Sequence, residues 1–153
     1  MVGYRWDMDV DKIIEFTNRD IMKEFWQMAK EDSVRHPCTG IDYFIFNKSA
    51  FKTIPDFAIG RPGYDNWLLW NARRHFLPLV NLSNDIKAIH QNHHFNFHTL
   101  NAPHPLAFTD DGKKNKMIHG ERILNLLDSN YYTVNGKVFK NKSQDFINRN
   151  LGQ

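Results

Sequence analysis

Two kinds of periodicity alternate along this chain, and that alternation limits its folds more than any other feature. Stretches suited to strands are interleaved with stretches whose apolar residues recur at helical spacing, an order that predicts a layered α/β domain. With 153 residues there is material for one apolar core and not for two, so a single domain over 1–153 is expected.

The strand-like stretches come first. Met1-Val2-Gly3-Tyr4-Arg5-Trp6 reads as a strand, lying at a sheet edge or internal to a longer ancestor, and Asp7-Met8-Asp9 breaks it. Ile41-Asp42-Tyr43-Phe44-Ile45-Phe46 is nearly continuous in apolar character, which suits a strand buried on both faces, with Asp42 the exception. Pro78 to Leu82 and Ile86 to His90 read as two more strands separated by a Ser-Asn-Asp turn, and Tyr131 to Phe139 as a hairpin around Asn135-Gly136.

Between them, Ile21, Met22, Phe25, Met28 and Ala29 mark an amphipathic helix from Asn18 to Glu31, capped by Thr17 or Asn18. The Pro- and Gly-rich stretch 54–63 should be a loop. Asp65 or its neighbour can cap the helix that follows through Trp67, Leu68, Trp70 and Ala72 to about Arg74-His75. A surface loop over 101–116 and a short helix from Ile118 to Leu127 complete the expected order.

Charge and cysteine content narrow the function classes. The net charge of +3 is modest and the only tight basic cluster is Lys113, Lys114 and Lys116, so no nucleic-acid partner is expected. A single cysteine, Cys38, cannot form an internal disulfide. Arg5, Asp7 and Asp9 stand where a leader would be apolar, and no run is long enough to span a membrane, so the expected location is the cytoplasm. Aromatic residues are plentiful at 14%; most should fill the core, and the rest can stack on planar or sugar-like ligands.

Three places could carry chemistry. Four imidazoles fall between His90 and His98 at a strand exit, dense enough to ligate a divalent metal and equally able to make hydrogen-bonded surface. In Gly60-Arg61-Pro62-Gly63-Tyr64-Asp65-Asn66-Trp67 the backbone bends just before a helix whose first turn carries a carboxylate. Such a group can serve as a general base or simply stabilise the helix start. Asp42 is costly in an apolar strand unless it is paired or faces a cleft, and Arg61 could pair with it or with a phosphate. Asp7-Met8-Asp9 has the Asp-x-Asp form of a metal-diphosphate motif, but the further alternation to Asp11 suits a solvated strand end.

Taken in order, Gly40 to Phe46, Ile54 to Trp67 and Ile89-His90-Gln91-Asn92-His93 resemble a bacterial family of glycosyltransferase-like proteins with an A-type (nucleotide-diphospho-sugar transferase) fold. Val2 to Val10 is similar to a segment of the same family, so the likeness covers roughly the first hundred residues. It implies a mixed β-sheet flanked by helices, equivalent to the C-terminal, acceptor-side half of that fold. It also implies transfer of a sugar from a nucleotide sugar to a carbohydrate or other hydroxyl acceptor. By the same likeness Asp65 is the base, Asp42, Arg61, Gly63, Tyr64, Asn66 and Trp67 bind substrate, and His90 with His93 ligates Mn²⁺ or Mg²⁺.

The family's upstream nucleotide-binding half has no counterpart here. A fragment, a binding-only relative, or one part of an assembly in which a second copy or a partner chain covers the truncated edge would each account for that. Two other function classes fit the residues. One is a small metal-dependent hydrolase or nuclease using His90, His93, His94 or His98 with Asp42 or Asp65; the other is a non-catalytic binding module derived from a glycosyltransferase.

Overall fold

The computed structural model describes residues 1–92 and 105–150. The fold is mixed α/β: two small three-stranded sheets, each combining one parallel and one antiparallel pairing, are flanked by helices. The first sheet has β1 (Arg5–Met8) at its centre, with β2 (Val34–Arg35) antiparallel on one side and β4 (Ala88–Gln91) parallel on the other. The second has β5 (Tyr131–Val134) at its centre, between β3 (Val80–Asn81) and β6 (Lys137–Lys140). Among the described residues no helix is long and apolar enough to cross a membrane.

The two sheets share a spine. Residues 1–8 and 80–91 run side by side in the same direction and pair at both ends. Val2 N–H donates to Val80 O at 2.9 Å and Leu82 N–H to Val2 O at 2.8 Å, while Arg5 to Met8 pair with Ala88 to Gln91. Between the paired ends the 82–86 turn bulges away, and the Ser83 hydroxyl accepts the Tyr4 N–H at 2.7 Å, so that donor is not left bare.

Helix α1 (Arg19–Asp32) begins where expected. The Asn18 side chain accepts from the Asp20 and Ile21 N–H groups at 3.0 and 3.2 Å. Its far end is tied to the first sheet by Lys87, whose Nζ donates to Ala29 O at 2.7 Å and lies 5.4 Å from the centre of the Trp6 ring. Helix α2 (Tyr64–Arg74) is buried at Trp67, Leu68, Leu69, Asn71 and Ala72, more than one stripe of its surface. Leu69 packs with Val2, Ile41, Leu79 and Leu126, and Trp67 and Leu68 pack with Phe57, so this helix joins both apolar clusters.

Three expectations are corrected. The first strand starts at Arg5, runs through Asp7 and Met8, and is central, because Arg5 and His36 compensate the Asp7 charge that was expected to end it. Ile41 to Phe46 is not a strand: it meets the sheets only at the Val2–Phe44 bridge, and Ile45 and Phe46 are 45% and 51% exposed. Its apolar residues instead divide between the core, at Ile41 and Phe44, and the wall of an apolar hollow of about 350 Å³ lined by Ile45, Phe46, Leu77 and Pro78 among others. The third helix is α3 (Asp110–His119), inside the stretch expected to be loop and ending before most of the stretch expected to be helix. Its start is fixed by Thr109 Oγ1 accepting from Gly112 N–H at 3.1 Å, and its buried positions are Gly112, Asn115 and His119, which carry no apolar periodicity.

The hairpin forms as its turn residues dictate. Asn135 and Gly136 both have positive φ, 50° and 72°, which matches the right-handed twist of the flanking strands. Helix α4 (Gln144–Asn150) closes the described chain by setting Arg149 on the buried Asp128 carboxylate through two hydrogen bonds of 3.0 and 3.1 Å.

Asn115 is fully buried and does the work of a missing strand. Its Oδ1 accepts the Ala58 N–H at 2.8 Å and its Nδ2 donates to Ala58 O at 3.0 Å, with the Pro62 and Arg61 carbonyls close by. One amide thereby fastens the bent loop ahead of α2 onto α3. Asn115→Leu, which keeps the volume and removes these bonds, is expected to cost about 2–4 kcal/mol in a urea melt. Asp128→Ala should cost about 2–3 kcal/mol in the same assay, since it removes a charge-assisted pair and a helix cap together.

Candidate functional site

Strand geometry assembles the candidate site. Arg5 and Asp7 are two residues apart in β1 and project from one face; His90 stands opposite Asp7 in register and joins them there. His36 follows β2, and its backbone N–H donates to Arg5 O at 3.0 Å, which sets its ring beside the same two side chains. Asp42 reaches in from the segment after Gly40. A methyl group on Gly40 would overlap the His36 imidazole, so the ring lies on bare backbone that only glycine provides.

The contacts centre on Arg5. Its Nη1 donates to Asp42 Oδ1 at 2.8 Å, and its Nε lies 2.9 Å from Asp7 Oδ1. That second contact is an ion pair out of line for a hydrogen bond, so two buried atoms are held there by charge alone. His36 Nδ1 is 2.5 Å from Asp7 Oδ2, and His90 Nδ1 makes a short contact with Asp42 Oδ2. With both carboxylates ionised, each imidazole donates through Nδ1. The Arg5 Nη2 group lies 3.2 and 3.5 Å from the two ring nitrogens of His36, and Nε2 is the one left to accept from it. The result is two Asp–His pairs, Asp7–His36 and Asp42–His90, joined through one guanidinium.

Asp65 lies in the first turn of α2, behind Gly63, which begins the helix at φ 94° without a side-chain cap. Burial holds the Asp65 carboxyl above the usual aspartate range. The Asn66 N–H, 2.9 Å from its Oδ1, and its own backbone N–H oppose that rise; the Asp42 charge adds to it and Arg5 draws it down. Asp65 therefore senses the Arg5–Asp42 pair, which ties the helix start to the sheet face electrostatically. A carboxylate of raised proton affinity at a helix start is a group suited to taking up a proton.

The remaining expected site residues are distributed differently. Arg61 does not reach Asp42: its Nη1 donates to Gly60 O at 3.2 Å and its Nε is 3.9 Å from Asp111, so Arg5 takes the role of partner. Gly63 is pressed against the His119 ring, where a side chain would collide. Tyr64 is half-buried with its ring edge-on to Phe57, and Trp67 is buried in the same aromatic cluster, so its ring packs in the core and not on a ligand. Asn66 ties α2 to the chain ahead of β5, with Nδ2 donating to Leu124 O at 2.9 Å. His93 lies outside the described residues, as do His94 and His98. Asp9 is exposed while Asp7 belongs to the site, so the two do not act as a pair.

Among the described residues no three His, Cys, Asp or Glu side chains are set to hold a metal ion. The Asp42–His90 pair nevertheless has the form that backs a metal-bound imidazole, a carboxylate on Nδ1 with Nε2 turned away from it. Arg5 and His36 were not singled out for such a site by sequence, and Asp7 was weighed only with Asp9 in the Asp-x-Asp pattern. The signal that could have found them is the alternation Arg5-x-Asp7, which puts opposite charges on one face of a strand. Comparison with family models, with curated proteins and with solved structures finds no match for the chain.

Proposed function

We propose that this domain is the acceptor-side part of a glycosyltransferase-like enzyme, in which Asp65 takes the proton from an acceptor hydroxyl as a sugar is transferred from a nucleotide sugar. The observation that carries the reading is that Asp65, held proton-avid by burial, feels the charges of Asp42 and Arg5, which are bonded to each other, Asp42 in turn holding His90. The divalent ion of such a reaction would be held by His90 and His93 and would neutralise the leaving diphosphate. Asp42 fixes the His90 ring. Gly63, Tyr64 and Asn66 shape the helix start that presents Asp65 to the acceptor.

Calorimetric titration with Mn²⁺ and a panel of nucleotide sugars tests the reading directly: it requires metal-dependent binding of at least one nucleotide sugar. No heat with any donor, alone or with a partner chain supplying the upstream half, would sink it. The apolar hollow beside Phe46 and Leu77 favours a second reading, a non-catalytic binding module, under which the parent shows no turnover and Asp65→Asn leaves ligand binding unchanged.

Asp65→Asn also separates a working base from a residue that merely starts a helix. Because burial raises the folded-state proton affinity of Asp65, this group favours the folded state below the unfolded aspartate value and loses that contribution as pH climbs through the folded value. Asn at this position should therefore melt higher than the parent at pH 7, with the gain fading on acidification, while turnover falls at least a hundredfold. A carboxylate present only to complement the helix dipole would give the opposite result, a loss of about 0.5 kcal/mol at pH 7. Turnover of the parent should decline on acidification at a higher pH than an ordinary aspartate would give.

A further inference from the structure

Asp7 and His36 lie outside the proposed proton-transfer path, and Arg5 enters it only through Asp42. Yet among the described residues Arg5 is the one cation touching Asp7, Asp42 and His36 together, from the central strand of the sheet. Its three nitrogens each meet a different partner, which a planar fork can do and a single ammonium cannot. Without that cation the two carboxylates would face each other across a partly buried space. Among the described residues their imidazoles would then be what remains to compensate them.

We infer that Arg5 is the positioning residue of this site: its guanidinium holds both Asp–His pairs in one orientation, a task that needs the planar fork and not merely a positive charge. Asp42 then keeps His90 in a single ring orientation, and Asp7 does the same for His36 on its glycine seat. The inference rests on the reading of Asp65 as the base for its catalytic meaning. Its test uses no substrate, so a missing transferase activity and a wrong role for Arg5 give different results.

The experiment is nuclear magnetic resonance of the full chain labelled with ¹⁵N and ¹³C, comparing the parent with Arg5→Met and Arg5→Lys. The parent should show Nδ1-protonated imidazoles for His36 and His90 with far-downfield Nδ1–H signals. Arg5→Met should lose both signals while the remaining amide resonances stay dispersed. Arg5→Lys should lose at least one of them, because a single ammonium cannot hold both pairs as the fork does, a result that charge alone would not produce. A folded Arg5→Met that keeps either signal, or an Arg5→Lys that keeps both, overturns the inference. Should Arg5→Met fail to fold, Arg5→Lys decides alone: retention of both signals overturns the role, and loss of either supports it.

Discussion

The side-by-side run of residues 1–8 and 80–91 is the constraint on which the molecule turns. Parallel pairing at both ends of this run puts Asp7 opposite His90 and threads Val2 between Phe44 and β3, so sheet register and site geometry are one quantity. A slip by one residue would send Arg5 and Asp7 to the face that packs toward α1 and leave Trp6 and Met8 among the imidazoles. Burial of Val2 and Met8 opposes such a slip, because both would surrender their places in the core.

Charge then completes what pairing begins. Two aspartates on one sheet face repel each other, and water only partly screens them at this depth. A fixed guanidinium between them turns that cost into an ordered network. Asp65 is treated differently: it is part-buried with backbone donors, no cation among the described residues is bonded to it, and desolvation raises its proton affinity.

Sequence pattern revealed the elements whose local chemistry is decisive. Asn18 caps α1, Asn135-Gly136 turns the hairpin and the Gly-rich bend precedes α2, each because the residue type fixes the backbone at that point. It failed where tertiary context governs. Ile41 to Phe46 has the composition of a buried strand, but a single bridge at Val2 is all the pairing it receives. Helix α3 buries Gly112, Asn115 and His119, and no search for apolar periodicity finds a helix docked by a glycine, an amide and an imidazole. The site was half legible: Asp42, Asp65 and His90 stand out as polar groups in apolar or bent surroundings. Arg5 and His36 looked like ordinary surface residues until register brought them together.

The Asn115 amide has a consequence for how the domain opens. Because the Asn115 side chain bonds the backbone of the 57–62 loop, with the Arg61–Asp111 ion pair beside it, that loop and α3 open as one cooperative unit. Breathing of the third helix therefore reaches the residues ahead of Gly63, and with them the backbone on which Asp65 rides. The molecule has made the fidelity of its proton-handling corner hostage to a contact made from the far side of the loop.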